Sequence, residues 1–478
     1  MIYNVPGVYV TEGTFGATPT PLSRHDSVYI FVTSSIDQLS YEPRYITSLA
    51  DFTNVFGSSP STKNIELFFL QNPEVGIWVS SVKASNQYPF TLDDTDVTEG
   101  DTYGFTINGL EYSTVATASD TAMTINTRIQ ELVNNTSPDA FISGFVLRLM
   151  SGTVTATGFT LGSMTTDTVS TLDAAATMLK VFRNDENLIP GFIIAPEFYE
   201  LATNGTEHAY LASIAEQSAI VLGGVSLVDS RLPAASTAEL LAERALLSSP
   251  RGHSAYYFPY LVDGKGRNVA PSSVVAAINI KAQKTSYATP AAGNSLPIAG
   301  ITGLSRTINH LEQGVLNPEG INVIRFFSNK GFIIYGARTL STSSFYTFTT
   351  TRVILNVLAR SLTLAFNDLI LTGLTYGLAF SVAKSTATSI CELMRQNGSL
   401  FGSKPDEAYR VIADNTNNTL TNLDQGQLFV DVIVKPTPVT EVISIRLNRA
   451  SLGASLTGTN DVTSAATVAT ESIIKPQV

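Results

Sequence analysis

The chain has 478 residues, of which 44% are hydrophobic and 14% are charged, and its formal net charge at pH 7 is −11. This length is enough for two or three domains. The charge is low for a soluble monomer, and it is tolerable if much of the surface is buried between subunits. The negative charge and the lack of Lys/Arg clusters argue against nucleic acid as the main partner.

Three features bear on where the protein works. Cys391 is the single cysteine, so an intrachain disulfide is excluded, and its position in a predicted helix indicates a buried thiol. The N-terminus has no basic region followed by an apolar core, so we expect no signal peptide. The most apolar long region, residues 353–382, is interrupted by Arg360, Asn367 and Asp368, so it lacks the ~20 apolar residues of a membrane span. We therefore expect a protein that is made in a cytoplasm and does not insert into a membrane.

Residues 1–20 predict an N-terminal arm. Val8 and Val10 alternate with Tyr9, which indicates one short strand ahead of a loop rich in Gly, Thr and Pro. A lone strand cannot bury itself, so we expect it to join a sheet edge in its own chain or in another.

Residues 21–87 and 171–300 predict one α/β core. Helices alternate there with apolar strands at regular spacing, which favours a mainly parallel sheet with helices on its faces. Strands are predicted at 27–32, 77–82, 191–195, within 219–228 and at 255–262, and helices at 51–56, 65–70, 173–183, 210–218, 238–247 and 272–282.

Residues 88–170 separate the two parts of this core and predict a small inserted β-rich domain, because they are rich in Thr, Asp and Gly. Asn108-Gly109 lies between two alternating runs and is a strong signal for a hairpin turn. Predicted strands cover 105–107, 112–115, 145–149 and 153–161, and a predicted helix covers 124–133.

Residues 301–448 predict a C-terminal domain, followed by an extension at 449–478 that is rich in Ser, Thr, Ala and Gly. Strands are predicted at 321–327 and 331–335, and helices at 349–364 and 369–396.

Two strand patterns meet within residues 428–447. A corner at Pro436 and Pro438 separates them, since proline cannot donate to a strand ladder. The second pattern is short and apolar on one side only, so it can close its own sheet or complete the sheet of a neighbour. Ile443, Ile445 and Leu447 form its apolar side, and Val442 precedes them in the predicted inter-subunit strand.

The sequence gives little reason to predict catalysis. Gly264-Lys265-Gly266 is only half of a phosphate-binding loop, and no nucleophile-elbow motif is present. The spacing of His25, Asp229 and a serine allows a nucleophilic triad, but any chain of this size contains such sets of residues by chance. The acidic run from Asp93 to Asp101 lacks the spacing of a calcium loop, and the four histidines are scattered. We therefore expect no catalytic, cofactor or metal site.

Several motifs together resemble the contractile tail sheath family, which includes phage tail sheaths and the sheaths of phage-like bacteriocins and injection systems. GFIIYGARTL at 331–340 is the most specific match, and Gly336, Arg338 and Thr339 form its core. The other matches are PGVYVTE at 6–12, APSSVVAA at 270–277, TPAAGN at 289–294, a degraded FND at 366–368, GSLFGSKPDEA at 398–408, and Pro438, Glu441 and Ile443 of a closing P-x-x-E-x-I.

This resemblance implies a structural protein that forms helically stacked rings, sixfold in that family, around an inner tail tube protein. Baseplate and tail terminator proteins would be further partners, and the site of action would be a virion tail or an injection particle assembled in a host cytoplasm. The extended sheath would be kinetically trapped and would contract by rigid-body rotation of its subunits.

The resemblance also implies that both arms add strands to sheets in neighbouring subunits. Val8, Tyr9 and Val10 would do so at one end, and residues 442–447 at the other. Residues 13–22 and the Pro436–Pro438 corner would be the flexing linkers.

Two other classes of protein stay open. A different self-assembling protein, of tail-tube or surface-layer type, is disfavoured because a tube protein would be smaller and mainly β, and a surface-layer protein would carry an export signal. A hydrolase on an α/β scaffold is disfavoured by the missing motifs.

Overall fold

The computed structural model describes most of the chain between Leu22 and Ile445. The described ranges are 22–33, 43–82, 86–136, 140–143, 146–149, 154–155, 163–164, 189–367 and 378–445, apart from residues 24, 58, 93, 108, 203, 294–295 and 444.

The secondary structure alternates strands and helices over much of this length. The strands are β1 Val28–Thr33, β2 Arg44–Ile46, β3 Ile77–Val82, β4 Asn86–Thr91, β5 Thr102–Ile107, β6 Leu110–Val115, β7 Ala140–Ser143, β8 Val146–Leu149, β9 Val154–Thr155, β10 Ser163–Met164, β11 Phe192–Ile194, β12 Val225–Asp229, β13 Ser254–Phe258, β14 Leu261–Asp263, β15 Asn268–Val269, β16 Ile301–Leu304, β17 Ile321–Phe327, β18 Gly331–Ile334, β19 Tyr409–Ile412 and β20 Asp431–Val434. The helices are α1 Leu49–Phe56, α2 Thr62–Gln71, α3 Ala122–Thr136, α4 Pro196–Leu201, α5 Gly205–Leu222, α6 Thr237–Leu246, α7 Pro271–Gln283, α8 His310–Leu316, α9 Thr349–Phe366, α10 Leu378–Gln396, α11 Pro405–Ala408 and α12 Leu420–Asp424.

A mixed sheet of eight described strands forms the centre of the fold. Its order is β18-β17-β13-β12-β11-β1-β3-β2. The six strands from β17 to β3 are parallel, and β18 and β2 are antiparallel edge strands. This order confirms the predicted α/β class with a mainly parallel sheet.

Helices cover both faces of this sheet. Along β1, Val28, Ile30 and Val32 belong to one hydrophobic cluster, which includes residues of α2, α7 and α9. Tyr29 and Phe31 belong to a second cluster, which includes residues of α4, α5 and α6. Every residue of β11, β12 and β13 is buried, because strands covered on both faces need apolar side chains on both.

Local signals in the sequence set several element boundaries. Pro271 begins α7 at a position where its missing N–H costs no hydrogen bond. Ser236 and Glu239 form a reciprocal capping box at the start of α6. The predicted hairpin at Asn108-Gly109 is confirmed, because β5 and β6 pair antiparallel with Ile107 opposite Leu110.

Residues 90–133 contribute a hydrophobic cluster of their own. Phe90, Tyr103, Phe105, Ile125 and Ile129 are buried in it, and strands β4 to β10 form two small antiparallel sheets nearby in the chain. The limits of the inserted domain, and the other domain boundaries, stay predictions. The helix predicted at 173–183 lies outside the described residues.

One prediction in the core is wrong. The sequence predicts a single strand at 255–262, and the structure has two strands in different sheets. β13 ends at Phe258 in the large sheet, and β14 begins at Leu261 and pairs with β15 and β16. Pro259 lies between them and has no N–H to donate, so the ladder cannot continue through it.

Asp229 brings a buried carboxyl group to the carboxyl end of β12. Its side chain is fully buried, and it accepts hydrogen bonds from the Ser272 N–H at 2.7 Å and the Ser272 hydroxyl at 2.5 Å. Asp229 lies at the end of β12 and thereby caps the N-terminus of α7. Burial raises the pKa of Asp229 to about 8, although the two hydrogen bonds from Ser272 favour the carboxylate.

No helix in the described part of the chain is long and apolar enough to cross a membrane.

The pKa of Asp229 predicts a pH-dependent stability. An Asp pKa is about 3.9 in an unfolded chain, so between pH ~4 and ~8 only the folded state keeps the proton. Stability is therefore lost as the pH rises through this window. We expect Asp229→Asn to reduce the fall in Tm between pH 5 and pH 8 by roughly 3 °C or more. Thermal unfolding at constant ionic strength measures this. The exposed Asp406→Asn is the matched control, and equal pH slopes in wild type and Asp229→Asn would contradict the assignment.

Candidate subunit interface

The strand β17 carries a buried amide that fixes the path of residues 336–338. The side chain of Asn322 is fully buried. Its Oδ1 accepts from the Arg338 N–H at 2.7 Å, and its Nδ2 donates to the carbonyl oxygens of Arg338 at 2.7 Å and Tyr256 at 3.1 Å. The Asn322 side chain thus gives Arg338, which follows β18, the two main-chain hydrogen bonds that a neighbouring strand would otherwise supply.

Gly336 and Thr339 support the same turn. A Cβ at position 336 would lie 2.9 Å from Asn322 Oδ1 and 3.0 Å from Asn322 Cα, so the backbone approaches this closely only because residue 336 is glycine. The Thr339 hydroxyl donates to the Tyr346 carbonyl at 2.5 Å and accepts from the Ser341 N–H at 3.1 Å.

Arg338 is held by this turn and reaches a residue that is 103 positions away in the sequence. Its Nε donates to Glu441 Oε1 at 2.9 Å, and its Nη2 donates to Glu441 Oε2 at 2.6 Å. Asn317, at the end of α8, adds a third hydrogen bond to Glu441 Oε1 at 2.7 Å. The hydrogen bonds from Arg338 lower the pKa of Glu441, so the carboxylate is the favoured form at neutral pH. The GARTL motif and the closing P-x-x-E-x-I motif therefore meet in one ion pair.

The residues before Glu441 are also tied to the core. β20 pairs antiparallel with β19, and Val432 and Val434 are half-buried against the first hydrophobic cluster. Pro436 then forms an isolated bridge with Leu400, and the Thr437 N–H donates to the Ser399 carbonyl at 2.9 Å. The strand pattern predicted from residue 428 thus ends before Pro436, as its prolines indicate.

Beyond Glu441 the apolar side chains are in solvent. Val442 is 81% exposed, and Ile443 and Ile445 are each 78% exposed. Three exposed apolar residues in a row of four positions are costly for an isolated chain and are typical of a surface that another element covers. Leu447, and Val8, Tyr9 and Val10 of the N-terminal arm, lie outside the described residues, so their roles stay predictions.

The root of the N-terminal arm is anchored on α9. The Ser23 N–H donates to the Ser361 hydroxyl at 2.8 Å, and Leu22 packs against the first hydrophobic cluster. Ser23, like Glu441 at the other end of the described chain, is therefore tied to the core.

The other chemical candidates have structural roles. Lys265 lies in the turn between β14 and β15, and its Nζ is 2.7 Å from Glu66. His25 precedes β1 and Asp229 ends β12, so the two lie at opposite ends of a parallel sheet and cannot share a triad. Cys391 is a fully buried thiol, and burial raises its pKa to about 12. Among the described residues, no group of three His, Cys, Asp or Glu could hold a metal ion.

Sequence reasoning missed Asn317 and Asn322. A signal for Asn322 exists, because a single amide inside the apolar run INVIRFF must find partners when it is buried. Nothing in the sequence identifies those partners, since Arg338 approaches through a turn and Tyr256 belongs to another strand.

The similarity of this chain to known proteins is a similarity of fold. No family model and no curated protein matches the chain. The sheath complex of the PVC extracellular contractile injection system in its contracted state is 16% identical, with a TM-score of 0.59 over 94% of this chain and 99% of that chain. The contracted helical sheath of the anti-feeding prophage (AFP) is 17% identical, with a TM-score of 0.59 over 94% of this chain and 100% of that chain. A chain of the 6-fold symmetrised AFP baseplate is 16% identical, with a TM-score of 0.57 over the same shares.

The chain has the fold of contractile sheath proteins. This confirms the resemblance that the motifs predict. The sheath fold covers the large sheet and the C-terminal part alike, because the matched share is nearly the whole chain.

The ion pair predicts how firmly the start of the C-terminal arm is held in the sheath fold. Lysine cannot form the two-pronged contact of arginine, and glutamine carries no charge. We expect Arg338→Lys and Glu441→Gln each to weaken the local contact by ~1 kcal/mol, since the pair is partly exposed. A nitroxide on Thr440→Cys should then rotate at least roughly twofold faster in paramagnetic resonance spectra.

Cys391 is buried and would stay unlabelled in this measurement. Glu74→Gln is the matched control, because Glu74 forms an exposed ion pair with Lys284 at 2.5 Å that does not include Arg338 or Glu441. Unchanged label mobility in both test variants would mean that other contacts hold residue 440.

Proposed function

We propose that the chain is a structural subunit of a contractile tail sheath. It polymerises into helically stacked rings around an inner tail tube and contracts from a metastable extended state to drive the tube through a target envelope. The observation that carries this proposal is the match of 94% of the chain to sheath proteins of two injection systems in their contracted state. A match of this extent favours a sheath over a tail-tube or surface-layer protein.

The contacts between subunits would be strand additions by the two arms. The exposed residues Val442, Ile443 and Ile445 support this, because they extend from an anchored root and have an apolar side for a neighbour to cover. Val8, Tyr9 and Val10 would play the same part at the other end. Such contacts are heterologous and do not close on two subunits, so they build a tube.

The proposed mechanism is mechanical. A baseplate trigger would release one ring, and subunits would rotate as rigid bodies into a better-packed state. The large sheet, buried on both faces, supports motion as one body, because a close-packed core resists deformation. The inner tube, the baseplate and a tail terminator would be the partners, and the particle would be a phage tail or an injection system assembled in a host cytoplasm. We propose sixfold rings, no cofactor and no catalytic step.

Negative-stain electron microscopy of the purified full-length chain is the direct test. Hollow, striated tubes would support the proposal. If the chain forms only single particles even when it is co-expressed with an inner tail tube protein, the proposal fails.

Deletion of residues 1–20 tests the N-terminal arm. We expect a protein that is folded by circular dichroism and forms no long tubes, because each ring loses its strand connection to a neighbour. The described contact between Ser23 and Ser361 is outside the deletion, so the truncated chain keeps it. Normal tubes from the truncated chain would contradict the proposal that this arm exchanges strands between subunits.

The double variant Ile443→Asp, Ile445→Asp tests the C-terminal strand. A carboxylate on a buried sheet face is strongly unfavourable, so we expect assembly to fall by at least tenfold with little change in the Tm of the free subunit, because both side chains are exposed there. Thr440→Asp adds a charge at an exposed position of the same segment and should leave tubes unaffected. If the double variant still forms tubes, this strand is not buried in an interface between subunits.

A further inference from the structure

The C-terminal segment is tied to the core at successive points up to Glu441. The Lys435 N–H donates to the Ala408 carbonyl at 2.9 Å, and the Lys435 carbonyl accepts from the Phe401 N–H at 2.8 Å. Thr437 makes two further contacts, from its N–H to the Ser399 carbonyl at 2.9 Å and from its hydroxyl to the Gly398 carbonyl at 2.8 Å. These contacts bracket the corner at Pro436 and hold it against the end of α10.

Glu441 is the last of these ties. It is held by both prongs of Arg338 and by the Asn317 amide. Within the part of the chain that the structure describes, no backbone hydrogen bond involves Val442, Ile443 or Ile445. Glu441 is therefore the last residue of this segment for which the described part of the chain shows a contact with the core.

We propose that the C-terminal arm pivots directly after Glu441, and that the corner at Pro436–Pro438 stays closed during assembly. Arg338 and Asn317 are then positioning residues that set the point and direction from which the arm leaves. Turning the backbone at Val442 and Ile443 breaks none of the contacts above. Opening the corner would break the Leu400–Pro436 bridge and its flanking hydrogen bonds.

A pivot at this point limits the reach of the arm. Residues 442–447 span at most ~20 Å when fully extended, at about 3.3 Å per residue. The sheet edge that receives them must therefore begin within ~20 Å of Glu441, on a second copy of this chain that packs directly against it. A pivot at the corner would free three to five more residues and lengthen the reach by about 10–17 Å.

A disulfide that locks the corner tests the pivot. The hydrogen bonds from Phe401 to Lys435 and from Thr437 to Ser399 flank the Leu400–Pro436 pair, which makes it the close, non-hydrogen-bonded type of antiparallel pair. The Cα atoms of such pairs are about 4.5 Å apart, within the range that a disulfide bridges. The variant Leu400→Cys, Pro436→Cys would close the corner covalently. The single variants are its controls, and the native Cys391 is fully buried.

This inference rests on the proposed function, because the readout is tube formation. We expect the oxidised double variant to form tubes of the same diameter and amount, within twofold, as the same protein after reduction. Tubes that form only after reduction would overturn the inference, since the corner would then have to open.

Hydrogen exchange of the free subunit tests the pivot without assembly. We expect the amides of Phe401, Lys435 and Thr437 to exchange at least ~100-fold more slowly than those of Val442 and Ile443. Equal exchange on both sides of Glu441 would overturn the inference. If wild-type protein forms no tubes under any condition, the proposed function fails, and this exchange measurement alone decides the pivot.

Discussion

The buried amide of Asn322 is the contact on which the path of the turn after β18 depends. Its oxygen and nitrogen bind both backbone groups of Arg338, and the same nitrogen ties this turn to Tyr256 on the neighbouring strand β13. Because the amide is fully buried, loss of a partner would leave a polar group without compensation. The orientation of Arg338, and through it the position of Glu441, therefore follows from one residue in β17.

The parallel sheet gives this contact a fixed frame. Strands β11, β12 and β13 are buried along their whole length, so their register with β17 cannot slip without exposing apolar residues on both faces. Asn322 is opposite Tyr257 in that register. The same frame fixes Ser23 through Ser361 on α9, and it fixes residues 435–437 through the residues that follow α10. The proposed rotation of the subunit as one body would require such a frame.

Much of this fold could be predicted from local patterns. Apolar runs predicted β1, β3, β11 and β17, because a parallel strand covered on both faces needs apolar residues on both, and Pro271 marked the start of α7. The strands β2 and β19 were missed. Both are short and carry an Arg and a Tyr among few apolar residues, and a partner strand distant in sequence stabilises each of them. The break at Pro259 was missed because the apolar run continues through it.

The residues of the candidate interface could be predicted from the sequence, but the contacts between them could not. The motif resemblance selected Gly336, Arg338, Thr339 and Glu441, but a motif gives no distance, and only the folded chain places Arg338 against a carboxylate 103 residues away. The contacts also explain the kind of residue that the motif uses. Gly336 allows a close backbone approach, Thr339 binds main-chain groups, and the fork of Arg338 fits one carboxylate. Each of these residues is used within the fold, where the motif holds Glu441 and the turn after β18 in place. The proposed motion of the subunit as one body would require this rigidity.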